Sequence, residues 1–217
     1  NLIEISSALE RRVTENIALL RAGGALFGSQ RDVSEEQFRA FAEDLQGKGD
    51  LYGSLGMGWA PLVPVAHLSE LEVAMQDPRD TREKDFYWIV HPRPGVGQEF
   101  VTPILYIEPL DQPNRDALAY DMFSDPVRRA AMERAMALGK PVASGKVQLV
   151  QDAGKPQIAG FLIYMPVIVG SGSSRQVKGF VYSPFRAETF LNSASELFRN
   201  DQIDVAVYDG TIAPQNL

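Results

Sequence analysis

The segment from Tyr120 to Val167 constrains the fold more than any other part of the chain. Ser124 stands as an N-cap for a helix over 125–138, with Pro126 tolerated in the first turn because its missing N–H would have no partner there. Gly139 closes that helix. Strands are expected at 141–150, 160–168 and 177–183, joined by hairpin-like loops around Ala153-Gly154 and Ser171 to Ser174. A helix flush against antiparallel strands leaves a cleft between the two. Arg128 and Arg129, in the first turns of the helix, can present a cation to it.

The flanking sequence fits the same sheet. Residues 2–27 read as one long helix, with Leu2, Ile5, Leu9, Val13, Ile17, Leu20 and Phe27 recurring every three or four positions. That stripe suits either a dimer seam or a core-facing face; Arg12 and Asn16 interrupt a strict heptad, and Gly23-Gly24 weakens the helix near its end. Ser34-Glu-Glu-Gln37 is a capping box opening a helix that Gly47 would close. In Leu55 to Ala60, apolar residues alternate with glycines, as in a strand with something packed close to its backbone. A short helix is expected over 66–75, strands over 85–90 and 100–107 around a Pro/Gly turn, a polar loop over 111–116, a helix over 186–198 and a last strand over 203–208. This order indicates an α+β fold: a long N-terminal helix, then an antiparallel sheet with flanking helices.

Composition excludes several functions. The net charge of −7 and the lack of a basic stripe make nucleic acid and anionic membrane surfaces poor partners. There is no cysteine, hence no disulfide, thiolate metal site or Cys nucleophile. His67 and His91 stand far apart without clustered carboxylates, so no metal is expected. No Gly-x-Ser-x-Gly, phosphate loop or Gly-x-Gly-x-x-Gly is present, so neither a cofactor nor catalysis is expected. No apolar run approaches the roughly 20 residues that span a bilayer. Beginning at Asn1 rather than Met, the chain is expected to be a piece of a longer protein.

Asp121-Met-Phe-Ser124, the helix end Leu138-Gly139-Lys140, the strand from Pro141 to Val150 and Met165-Pro166-Val167 resemble the CHASE domain. So do Leu19-Leu20-Arg21 to Phe27, Phe38 and Met57-Gly58-Trp59-Ala60-Pro61. The resemblance covers nearly the whole chain. It implies an extracytoplasmic, periplasmic sensor region held between two transmembrane helices of an inner-membrane receptor. Such regions control a cytoplasmic histidine kinase of a two-component system, or a cyclic-di-GMP enzyme. The fold it implies is a stalk helix at 1–29, a membrane-distal PAS-like ligand-binding domain at 30–190, and a linker helix with the start of a membrane-proximal PAS-like domain at 191–217. The partners it implies are a small molecule and a second copy of the chain, joined through the N-terminal helix; membrane contact would come only through segments outside these residues.

Plant members bind cytokinins through an Asp early in the central helix. Alignment from Asp121-Met122-x-Ser124 puts Arg128 there, and a guanidinium can only donate where that carboxylate accepts. Near the positive end of a helix dipole a cation is disfavoured by a few tenths to about 1 kcal/mol, so something negative should compensate. Asp121, Asp125 or another nearby carboxylate in a structural ion pair would do so; so would an anionic ligand held by Arg128. Arg129, about 100° further around the helix, is expected to face solvent. On the following strand Ser144, Lys146, Gln148 and Val150 share one face, and Ala143, Gly145, Val147 and Leu149 the other. Polarity alone slightly favours a solvated even face and a core-facing odd face; the family alignment places Ser144 and Val150 in the pocket, so the even face is expected to look inward. Tyr120, Phe123 and Tyr164 are expected to shape the cavity, with Tyr106 and Phe161 as further candidates and Trp59 and Trp88 as core anchors. The alternative is a module that binds no small molecule and serves only dimerisation or a partner protein.

Overall fold

The computed structural model describes residues 2–46, 53–76, 88–155 and 158–195. The expected strand over 203–208, half of that over 85–90 and the Gly47 cap lie outside them, and residues 88–90 are not in a strand. The centre is an antiparallel sheet in the order β4 (Tyr106–Glu108), β1 (Met57–Pro61), β8 (Gln176–Arg186), β7 (Ala159–Val169), β5 (Val142–Ala143), with β6 (Val147–Gln148) also paired to β7. β7 and β8, eleven residues each, form a hairpin paired at ten positions, with a register shift between Val167 and Ile168. A separate two-stranded ribbon joins β2 (Val63–Pro64) to β3 (Phe100–Val101), with α3 (Leu68–Met75) beside it.

Strand alternation divides the core in two. Ala60, Leu162, Tyr164, Phe180 and Tyr182 face one side, under α5 (Pro126–Leu138). Met57, Trp59, Ile163, Val167, Val181 and Phe185 face the other, under α1 (Leu2–Ser29). On that second side Phe27 of α1 stacks on Trp59 at 4.0 Å, and α2 (Glu35–Gln46) adds Phe38. Trp88 is buried in a third cluster with Leu68, Val90 and Val101.

The long helix, the capping box and the hairpin follow expectation. Ser34 and Gln37 exchange backbone-to-side-chain hydrogen bonds of 2.8 and 3.2 Å. Gly23-Gly24 does not end α1. A Cβ on Gly23 would lie 2.9 Å from Val181, so its absence lets the helix rest directly on β8. Ile5, Ala8, Asn16, Leu20 and Phe27 are all buried, so the α1 stripe faces this chain's own interior. Arg12 and Asn16 bond within it, to the Ser193 and Arg12 carbonyls. α6 (Ala187–Ser195) packs against the same helix.

Three expectations need correction. Residues 111–116 are not a loop: Asp111 caps α4 (Gln112–Asp116), accepting from the Asn114 N–H. The strand over 100–107 is divided between two sheets, because the Asp121 carboxylate takes the Thr102 N–H at 2.8 Å and turns the chain. The strand over 141–150 breaks between β5 and β6, where the Ser144 hydroxyl accepts the Leu162 N–H and donates to the Gly145 carbonyl. It ends in a 3-10 turn at Val150–Asp152.

Candidate functional site

The approach to α5 is held from within. Ala119 adopts φ 64°, a left-handed conformation that costs a non-glycine residue about 1 kcal/mol or more, and its N–H is fixed to the Ile104 carbonyl. Asp121 is fully buried. Its carboxylate receives the Thr102 and Phe123 N–H groups at 2.8 and 3.0 Å and the Gln98 amide at 2.7 Å. Asp125, rather than Ser124, caps α5: its Oδ1 accepts the Val127 and Arg128 N–H groups, both at 2.9 Å. Ser124 donates its hydroxyl to the Asp121 carbonyl.

Arg128 points inward and is only 2% exposed. Its Nη2 donates to the Gln148 carbonyl at 2.7 Å, and its Cζ lies 5.1 Å from the centre of the Tyr120 ring. Its Nε is buried without a hydrogen-bond partner. Among the described residues no carboxylate pairs with it: Asp121 and Asp125 are occupied by backbone and amide donors. A carbonyl dipole and a ring face only partly offset the loss of hydration by a full positive charge.

Around it packs the apolar core on the α5 side of the sheet, a chamber filled by side chains, with a few hydroxyls. Tyr164 and Tyr182 pair across β7 and β8, with ring centres 6.2 Å apart, and neither ring is exposed. The Tyr164 hydroxyl has only the Met122 sulfur as acceptor, at 3.6 Å, and the Thr102 hydroxyl only the Met132 sulfur, at 3.7 Å. Among the described residues the Tyr182 hydroxyl has no hydrogen-bond partner. Burial pushes both phenols well above the ordinary tyrosine value although the Arg128 charge pulls the other way, so both remain neutral donors near neutral pH. The Tyr182 ring lies over Gly58 of β1, where a Cβ would run into it. This is the close approach that the glycine alternation at 55–60 signals.

The expected site residues separate into two groups. Arg128, Tyr120, buried Phe123 and Tyr164 are brought together under α5. The even face of 141–150 does not turn inward: Lys146 and Gln148 are exposed, while Val147 and Leu149 are buried among the chamber residues. Irregular backbone from Ser144 to Lys146 shifts the parity, so Val142 and Val147 both pack inward. Gln148 meets Arg128 through its carbonyl alone. Ser144 is committed to the sheet, and Val150 packs partly against the core from the 3-10 turn. Tyr106 and Phe161 lie on the α1 side. Tyr182 and Met132 were not singled out by sequence, and Met122 only as part of the Asp121 to Ser124 motif, since a strand tyrosine and methionines read as ordinary core.

Two open hollows flank α5. One, of about 410 Å³, lies between Arg93, Gly95 to Gln98, Ser124 and a half-buried Arg129. The other, of about 440 Å³, lies between Val127, Ala130, Arg134 and Val142. Arg128 lines neither. Among the described residues no group of His, Cys, Asp and Glu is placed to hold a metal, and no helix is long and apolar enough to cross a membrane.

No characterised protein matches the sequence. The model of one family, the CHASE domain, matches residues 31–217. That family's role is sensory and not catalytic. The chain therefore belongs to the CHASE domain family, the extracytoplasmic sensory domains of receptors.

Proposed function

We propose that this chain is the periplasmic sensor of an inner-membrane receptor and that it takes a small anionic ligand between α5 and the sheet. The observation that carries the reading is the Arg128 guanidinium, 2% exposed, with no carboxylate partner among the described residues and Nε unbonded. An anion there would supply the missing charge and accept a charge-assisted hydrogen bond. The antiparallel sheet with helices over both faces supports a PAS-like ligand-binding domain over 30–190, behind a stalk at 1–29 and ahead of a second domain beginning within 191–217. The output would be a cytoplasmic histidine kinase or a cyclic-di-GMP enzyme.

A route to the stalk supports this reading. Tyr182 and Val181 are adjacent on β8 and face opposite sides of the sheet, Tyr182 toward the chamber and Val181 toward Gly23 of α1. A ligand that binds one arrangement of the sheet better than another biases the helix resting behind it. A homodimer through α1 would use the outer face, where Ile3 is 75% exposed, since the inner stripe is covered by the chain itself.

The test is a thermal-shift screen of carboxylates, phosphates and nucleobases, because a bound ligand stabilises the native state by mass action, followed by calorimetry. Arg128→Ala should abolish saturable anion binding while the fold survives; unchanged affinity would place the site elsewhere. One observation favours the alternative of a ligand-free interaction module: Tyr164, Met122 and Met132 close the chamber beneath α5, each fully buried. A flat screen with concentration-dependent dimerisation would support that alternative.

A further inference from the structure

Among the described residues, Arg128 is one of two buried side chains on the chamber side of the sheet with an unbonded polar atom; the other is Tyr182. An unpaired buried hydroxyl forfeits hydrogen bonding it would have in water, which costs about as much as a lost hydrogen bond, so it calls for an explanation. Packing provides none. A phenylalanine would fill the same space over Gly58, and Tyr182 is directly opposite both Gly58 and Tyr164 in the ladder. Nor is the hydroxyl lent to a neighbour, as those of Tyr164 and Thr102 are to methionine sulfurs.

We infer that Tyr182 is a second ligand contact, its hydroxyl donating to the anionic head that Arg128 Nε holds, and that the ligand is a small monocarboxylate with an apolar body. This rests on the proposal that Arg128 binds an anion. Charge sets the class. One guanidinium neutralises one negative charge; a phosphate dianion would carry a second, uncompensated charge into a low-dielectric interior. The nearby carboxylates of Asp121 and Asp125 are already committed to N–H donors and add no positive charge. The remaining walls are hydrocarbon: Phe180, Leu162, Met122 and Met132. The methionines are the side chains best able to withdraw, being unbranched and flexible, and their departure would free the Tyr164 and Thr102 hydroxyls as further donors. The pairing thus specifies a planar anionic head with a short apolar tail.

The 217-residue chain and its Tyr182→Phe and Arg128→Gln variants are titrated with monocarboxylates from acetate to phenylacetate, and with inorganic phosphate and phenylacetamide as the other arms. The expected result is saturable binding of an apolar monocarboxylate, weakened roughly tenfold by Tyr182→Phe and abolished by Arg128→Gln, with no binding of phosphate or the amide. Tyr182→Phe removes one unbonded oxygen, so folding should survive, and unfolding curves check this. Carboxylate binding lost in Arg128→Gln but unchanged in Tyr182→Phe overturns the second contact and leaves the first. Preference for phosphate overturns the monocarboxylate class. Failure of every anion to bind the unaltered chain overturns both contacts.

Discussion

Replacing Arg128 by methionine should make the chain more stable. The variant keeps the length and much of the volume of the side chain and removes its charge. A buried ion without a counter-ion costs several kcal/mol in desolvation. Against this stand a hydrogen bond from a charged donor to the Gln148 carbonyl, worth about 1.5–3 kcal/mol, and the contact with the Tyr120 ring, worth up to about 2 kcal/mol when desolvated. Against a desolvation cost of that size, Arg128→Met is expected at the lower end of the roughly 1–4 kcal/mol by which apolar side chains in place of buried charges stabilise, a net gain of about 1–2 kcal/mol. For a chain of this size that raises Tm by roughly 2–8 °C. Urea unfolding at pH 7 without added ligand measures it, and an unchanged m value confirms that the variant unfolds as the same structure. If Arg128 instead closed a structural ion pair, the same variant would strand a carboxylate and lose about 3–5 kcal/mol. Destabilisation on that scale would refute the reasoning.

Two further outcomes follow. In a strand, Gly→Ala ordinarily gains roughly 0.5–1 kcal/mol, but Gly58→Ala should lose about 1–3 kcal/mol because the new methyl meets the Tyr182 ring; a stabilised variant in thermal unfolding would show that the ring yields. Asp152 takes two hydrogen bonds from Arg186, at 2.6 and 2.8 Å, which hold its carboxyl below the usual range. Its contribution is therefore complete above about pH 3.9, the unfolded value, and lost as pH falls through the lower folded value. Asp152→Asn should weaken the fold at pH 7 by more than it does near pH 3, and an equal loss at both would mean the pair contributes no pH-dependent stability.

What the sequence made legible was periodic or locally capped. The α1 stripe, the Ser34/Gln37 box, the β7–β8 alternation and the extent of α5 depend on neighbours a few residues apart. The inward Arg128 was legible as one of two alternatives, and removing the ion-pair reading required the positions of Asp121 and Asp125. The failures came from contacts across the chain. Thr102 is turned out of its strand by a carboxylate nineteen residues later, and the Ser144 hydroxyl bonds to the Leu162 N–H on β7, so the odd–even reading of 141–150 cannot survive past it. Asp111 with Pro113 is a local helix-start signal that was there to be read. Tyr182 left no trace, because an unpaired hydroxyl is a property of everything that surrounds it, and the glycine opposite marked only that something lay close.

The central claim is that the space between α5 and the sheet receives an anion at Arg128. A crystal structure of the chain grown with a saturating apolar monocarboxylate tests it most directly. The account predicts density for the carboxylate head within hydrogen-bond distance of Arg128 Nε and the Tyr182 hydroxyl, with Met122 or Met132 moved aside. A chamber still filled by those methionines, with the anion absent or seated in the open hollow between Arg93 and Arg129, would contradict it.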